Sequence, residues 1–300
     1  MRIGMFGGDT ASRTIDDVVA DAKQIEADGF ASYWLPQIFG MDAISTLAVV
    51  GREVPRLELG TAVVPTYPRH PMMLAQQALT TQAASGGRFV LGIGLSHQIV
   101  IENMFGMSFE KPARHMREYL SILAPLVRTG AAEYDGETLH AHGTLDIADA
   151  PPCPILLAAL APKMLELAGA VADGTITWMT GPATLADHTI PVITAAARAA
   201  GRPAPRVCAS LPVCVTDDPA AARARAADEF AVYGMLPSYR AMLDREGAAG
   251  PADVAIVGDA ATVTGAVHHL AEIGVTDFAP ALFGSRTDRN ATREVLAGLV

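Results

Sequence analysis

Two short segments offer the chain's most distinctive chemistry, and both act through backbone groups. Gly92-Ile-Gly94-Leu-Ser96-His97 follows an apolar run and resembles a phosphate-binding glycine turn. It has no third glycine at dinucleotide spacing, and the first strand is followed by Gly7-Gly8-Asp9 instead, so the same glycines could simply turn a strand end tightly. Ala158-Ala-Leu-Ala-Pro162-Lys163 sets small residues against a helix opened by proline. Unpaired N–H groups and a lysine there suit a phosphate, the plainer alternative being a short turn with a solvated lysine. Gly60-Thr-Ala-Val-Val-Pro65 makes a flat apolar wall on which a planar ring can pack. Trp178 either lines the same pocket or fills the core.

Other chemistries find little support. His140-Ala-His142 lies in a polar stretch that reads as an insertion, and no His-X-His ends the first strand, so no metal centre is expected. No Gly-X-Ser-X-Gly elbow occurs. His268-His269 falls on an exterior helix, and the Ala-Arg run at Ala220 to Ala227 reads as a solvated face. Few titratable groups stand where a site would form, and a borrowed cofactor is expected to carry the chemistry.

The elements that must position these segments alternate along the whole chain. Strands are expected at Arg2 to Phe6, Ser32 to Pro36, Leu57 to Val63, Arg88 to Ile93, Ile155 to Ala159, Gly174 to Met179, Val207 to Val215 and Phe278 to Phe283. Helices fall between them. Thr14-Ile-Asp-Asp17 has capping-box spacing, Asp42 can cap the second helix, and Pro71, Pro112, Pro162 and Pro182 each suit a first turn. Tyr134 to Ile147 reads as a hairpin or loop. The stretch after the seventh strand is longer, helical from about Pro219 to Tyr233, interrupted at Gly234 and Pro237, helical again to about Glu246 and from Ala260 to Ile273. A last helix follows from about Asp288 to Leu299. Eight strand-helix units without a linker predict one (β/α)8 barrel over residues 1–300, an α/β fold with insertions after strands four and seven. Its chemistry belongs at the strand C-terminal ends.

Composition bounds the partners. Of 300 residues, 50% are apolar and 18% charged, enough to bury a large core. Acidic residues outnumber basic ones, 32 to 22, and a net charge of −10 gives nucleic acid no attraction. No apolar run approaches a membrane span and the N-terminus shows no signal segment, so a cytoplasmic protein is expected. Cys153, Cys208 and Cys214 form no disulfide framework, and the last two are expected to share one strand.

At these same segments the sequence resembles the luciferase-like monooxygenase superfamily, in particular its deazaflavin (coenzyme F420)-dependent oxidoreductases. The resemblance is carried by Leu59-Gly-Thr-Ala-Val-Val-Pro-Thr-Tyr-Pro-Arg-His-Pro71, Gly87-Arg-Phe-Val-Leu-Gly-Ile-Gly-Leu-Ser-His97, Ala158 to Lys163 with Ala172-Asp-Gly174, and Val257-Gly-Asp259 before the last helix. It covers essentially the whole chain. It implies a bacterial luciferase-like barrel, a homodimer, and a non-prolyl cis peptide at Ala62-Val63 behind the cofactor ring. It also implies cofactor contacts from Gln37, Thr61, Ala62, Val63, Gly94, Ser96, His97, Gln98, Ala158, Ala159, Leu160, Ala161, Pro162, Lys163 and Trp178, with the ribityl-phosphate held by the Gly94 to Gln98 and Ala158 to Lys163 segments.

Related dehydrogenases place a histidine or acid where this chain has Gln37, and a glutamate near Leu95. The expectation is therefore hydride transfer from deazaflavin C5 to an activated C=C or C=N bond of a small organic substrate. Gln37 would bond the ring or substrate, and His97 would supply the proton, ahead of His70, Asp9 or water. The alternatives are an FMN-dependent monooxygenase using O2 and a non-catalytic flavin-binding barrel.

Overall fold

The computed structural model describes residues 1–300. Eight parallel strands close on themselves: β1 (Arg2–Ile3 and Met5–Phe6), β2 (Ser32–Leu35), β3 (Glu58–Thr61), β4 (Phe89–Gly94), β5 (Ile155–Leu157), β6 (Gly174–Trp178), β7 (Arg206–Ser210) and β8 (Asp277–Phe278). Closure depends on the break in β1, where Ile3 pairs with Phe278 of β8 and Met5 pairs with Tyr33 of β2. Gly4 stands at the break because a Cβ there would lie 2.1 Å from Ser32 Oγ and 2.7 Å from its carbonyl oxygen. At the opposite end from the strand C-termini, Arg206 bridges Glu58 and Asp277 at 2.8 and 2.7 Å, tying β3, β7 and β8 together. This is the barrel that the strand-helix alternation predicts.

Local chemistry sets most helix starts. The Thr14 and Asp17 side chains form the expected capping box on helix Ile15–Ala27, and Asp42 caps helix Ala43–Glu53. Pro71, Pro112 and Pro162 occupy first turns, as expected. Pro182 also starts a helix, but the expected single run to Ala200 contains a π-turn at Leu185–Thr189. Pro191 follows at once; it lacks the N–H that an α-helix would donate to the preceding turn.

The strands expected at Val207 to Val215 and Phe278 to Phe283 each divide in two. Their outer halves, Pro212–Val215 and Ala281–Leu282, join Ile256–Gly258 in a second tier above the barrel. Cys208 and Cys214 therefore lie on different strands, and all three cysteines are free and buried. Val257-Gly-Asp259 belongs to this tier and opens helix Ala260–Glu272, the penultimate helix rather than the last.

After β4 come a short helix, Gln98–Asn103, that sequence reading missed, then helix Pro112–Thr129 and an antiparallel hairpin, Ala131–Asp135 with His140–Thr144. Glu118 anchors the hairpin tip, accepting hydrogen bonds from the N–H groups of Glu137, Thr138 and Leu139 and from the Thr138 hydroxyl. Burial alone would raise its carboxyl, but those bonds outweigh it and hold the group at about 2.

The main core of 63 buried residues lies between the strands and the helices. A separate cluster, Trp34, Val90, Leu156, Ile176, Cys208 and Ala279, fills the barrel interior. Trp34 needs Gly60 beside it, because a Cβ there would come within 2.2 Å of the indole. Phe6, Ala62, Val63 and Ala158 pack on this interior cluster and form the floor of the barrel mouth. No helix is long and apolar enough to cross a membrane.

Candidate active site

The mouth opens into a cleft of about 1560 Å³, which shares a wall with a narrower arm of about 250 Å³. Phe6, Ala62, Val63, Ser96, His97, Trp178 and Tyr239 line both. At the centre of the floor the Ala62–Val63 peptide is cis, at the bond the resemblance implies. Thr61 lies behind it. Its fully buried hydroxyl donates to Gly92 O at 2.7 Å and accepts from Gly92 N at 2.8 Å, so it joins β3 to β4 and does not reach the cleft.

The narrow arm is built from absent side chains. A Cβ at Gly94 would lie 2.7 Å from Val63 Cγ2 and 3.3 Å from Ala158 Cβ, filling the space between floor and wall. Ser96 turns the chain out of β4 in the left-handed region, at φ 63°. Opposite, Ala158, Ala159, Leu160 and Ala161 line the arm and lead into helix Pro162–Val171. Ala161 caps that helix with no side-chain hydrogen bond, Pro162 has no N–H, and the Lys163 N–H finds no protein acceptor. Two further polar atoms along this arm, Thr177 Oγ1 and Trp178 Nε1, are buried without partners. Unpaired donors around a small-residue channel fit the phosphate-bearing chain of a flavin-type cofactor.

Three residues expected at this cofactor segment stand outside the cleft. Gln98 is exposed and donates to Glu102 at 3.0 Å, because it begins the short helix. The Pro162 and Lys163 side chains point away into solvent, since Ala161 is the last residue before the helix turns outward. Only the Lys163 backbone N–H remains in position.

In the wide arm, Gln37 follows β2 and lines the cleft. Its Oε1 accepts the Ala43 N–H at 2.8 Å, which fixes the amide and leaves the NH₂ group without a protein acceptor. His97 is half-buried, its ring tilted against Tyr239 at 5.7 Å, and burial pushes its pKa below 6.5. That shift favours the neutral ring, which can donate or accept a hydrogen bond. Asp9 also lines the cleft and accepts the Ala11 N–H at 3.0 Å. His70 does not: its Nδ1 accepts the Met72 N–H and its Nε2 faces His140 O.

Sequence reading missed the roof. The insertion after β7 lowers Phe230 and Tyr233 onto Trp178, which stacks on Phe6 at 5.5 Å, and sets Tyr239 edge-on against Tyr233. Burial raises both tyrosines above the ordinary phenol value, so they keep their protons. The available signal was three aromatics within ten residues, on either side of Gly234 and Pro237, and such a cluster also describes ordinary helix packing.

Comparison with known proteins agrees with this geometry. The family model described as luciferase-like monooxygenase matches residues 2–277. The chain is 31% identical over 241 residues to a 5,10-methylenetetrahydromethanopterin reductase of Methanolobus tindarius, covering 80% of this chain and 73% of the relative. It is 30% identical over 250 residues to a Mycobacterium tuberculosis protein provisionally named a coenzyme F420-dependent oxidoreductase, covering 78% and 71%. The solved structure of the coenzyme F420-dependent tetrahydromethanopterin reductase of Methanopyrus kandleri superposes with a TM-score of 0.78 at 22% identity, over 99% of this chain and 96% of that one. The expected shortage of titratable groups holds for the floor but not for the wide arm, which Asp9, Arg13, Arg69, His97, Glu229 and Arg289 also line. A barrel mouth with a cis-peptide floor and a phosphate-suited turn is thus joined to a family match over nearly its full length: the chain belongs to the luciferase-like monooxygenase family and is an oxidoreductase.

Proposed function

We propose that the protein is a coenzyme F420-dependent oxidoreductase that reduces an activated C=C or C=N bond in a small organic molecule. The observation that carries this reading is the two-armed cleft, in which an apolar floor at Ala62–Val63 runs into a channel of unpaired donors at Ala158 to Lys163. Ala62 and Val63 would support the cofactor ring, with Gly94 and Ser96 beside it. Ala158 to Ala161, the Lys163 N–H, Thr177 Oγ1 and Trp178 Nε1 would hold the ribityl-phosphate part. When bound, the deazaflavin supplies a hydride at C5.

The residues of this chain do the rest. Gln37 presents an oriented NH₂ group to ring or substrate. Phe230, Tyr233 and Tyr239 exclude water, and the two tyrosines offer phenol donors to the substrate. Nothing at the end of β2 or β4 provides a carboxylate base, because Gln37 and Leu95 occupy those places. An alcohol oxidation would need such a base, which favours the reductive direction.

Titrating the apo-protein with coenzyme F420 and with FMN, by cofactor fluorescence, tests the reading. Tight F420 binding with weak FMN binding is the expected result, and the reverse would move the protein to oxygen-dependent flavin chemistry. A homodimer is part of the proposal, supported by exposed Val49 and Met73 on two helices packed together and by Ile38 and Phe39 nearby in the chain. Sedimentation showing a monomer at micromolar concentration would remove it.

A further inference from the structure

We propose that the end of the wide cleft between the first and last helices is an anion subsite that receives a carboxylate of the substrate. Arg289, Asn290 and Arg293, on helix Arg286–Ala297, line it together with Arg13, which precedes helix Ile15–Ala27. In assigning the anion to the substrate, the inference rests on the proposed function, which puts the cofactor's own phosphate in the narrow arm.

The neighbouring acids do not use up these cations. Asp21 is shared by Arg13 at 3.3 Å and Arg293 at 3.6 Å, and it also accepts the Tyr33 hydroxyl at 3.2 Å. Asp28 takes Arg293 Nε. Asp17 also lies near Arg13, and Asp9 lines the same cleft, so Arg289 is the guanidinium left without a carboxylate partner. Arg289 donates to Gly284 O at 3.1 Å and makes no ion pair. Arg293 Nη2 is buried with no acceptor. A buried guanidinium N–H without a partner is costly, and a small turn of the side chain toward the cleft would give it an oxyanion acceptor in the planar geometry that arginine recognises best. Glu229, exposed on the insertion helix, lines the same cleft and makes no ion pair, so it opposes an incoming anion at the entrance.

The ordered pairs around Asp21 and Asp28 explain why Arg13 and Arg293 are present as helix-to-helix ties. They leave Arg289, which bonds only the Gly284 carbonyl, Asn290 and the free Nη2 without a carboxylate partner. Those three groups carry the inference.

Benzoate and benzamide, which share a shape and differ in charge, serve as probes. Binding is followed by calorimetry and by tryptophan fluorescence; Trp178 lines the cleft, whereas Trp34, the other tryptophan, is sealed inside the barrel. The wild type is expected to bind benzoate at least tenfold more tightly than benzamide. Arg289→Ala should abolish most of that preference, Glu229→Gln should enlarge it, and neither should alter F420 affinity. Equal affinities for the two probes in the wild type would overturn the subsite. So would an Arg289→Ala variant that loses F420 and benzoate in parallel, which would place the cofactor's acidic tail here instead. A wild type that prefers benzoate yet fails to bind F420 would support the anion subsite while removing the proposed function.

Discussion

Ala161→Asp separates the two roles of the turn before helix Pro162–Val171, because it should move stability and cofactor affinity in opposite directions. Ala161 is an N-cap in extended conformation, φ −74° and ψ 150°, with no side-chain hydrogen bond to the helix. An aspartate there can accept the Met164 N–H and favours the helix dipole, a gain of about 1 kcal/mol. For a chain of this size that raises Tm by roughly 2 to 4 °C. The same carboxylate would stand in the channel where the cofactor phosphate is proposed. At about 5 Å and an effective dielectric near 20, two unit charges repel by about 3 kcal/mol, and solvent at the exposed cap reduces this to about 1.5–3 kcal/mol. F420 affinity should therefore fall roughly ten- to hundredfold. Ala161→Ser is the control: it caps without charge, so it should raise Tm and leave affinity within about threefold, less than 1 kcal/mol. Thermal unfolding of the apo-protein and a fluorescence titration measure both quantities. An Ala161→Asp protein that is stabilised and still binds F420 normally would refute the placement of the phosphate at this helix.

Three pH effects follow from groups with displaced pKa values. His115, stacked on Tyr67 at 3.9 Å and bonded to Thr66, is pushed down to about 4 by burial. Its neutral form is the native one, so stability is complete above pH 6.5 and declines as pH falls toward 4. The loss is at most about 3 kcal/mol, and less because the ring is partly exposed. His115→Phe should flatten urea midpoints across that window. Glu118, held at about 2, contributes stability above pH 4.5 that is lost as pH falls toward 2, and Glu118→Gln should lower the urea midpoint at pH 7 while reducing the dependence below 4.5. If imidazolium at His97 delivers the proton, turnover should rise toward acid pH in the wild type and not in His97→Gln; superimposable profiles would leave water or a phenol as the donor.

The barrel was legible because its rules are local. Thr14 with Asp17, Asp42, and prolines 71, 112 and 162 mark helix starts by chemistry confined to one turn, and the structure uses each of them. The floor was legible for a similar reason: Gly60, Gly92 and Gly94 are demanded by close approaches to Trp34, Thr61 O and Val63, and glycine in a buried strand is already anomalous. What failed was short or long-range. Gln98–Asn103 and Ile256–Gly258 hold too few residues to establish a period. Thr61 reads like any strand-end hydroxyl until its bonds to Gly92 are seen. The roof depends on where a 28-residue insertion, Pro219 to Glu246, lands on Trp178, which no local rule determines.

That division has a chemical consequence. The floor and the narrow arm contain almost no titratable side chain, so they suit one bound cofactor and discriminate little among substrates. Most groups able to sort substrates by polarity come from elsewhere: Asp9 after β1, Gln37 after β2, Glu229 and Tyr233 of the insertion, and the arginines of the last helix. Exchanging the Phe230 to Tyr233 part of the roof between relatives should therefore change the substrate and preserve cofactor affinity, whereas one added methyl at Gly94, 2.7 Å from Val63 Cγ2, should disturb the cofactor whatever the substrate. The charge of −10 fits the same division: it repels anions at long range, and at physiological salt a Debye length near 8 Å leaves recognition to the donors inside the cleft.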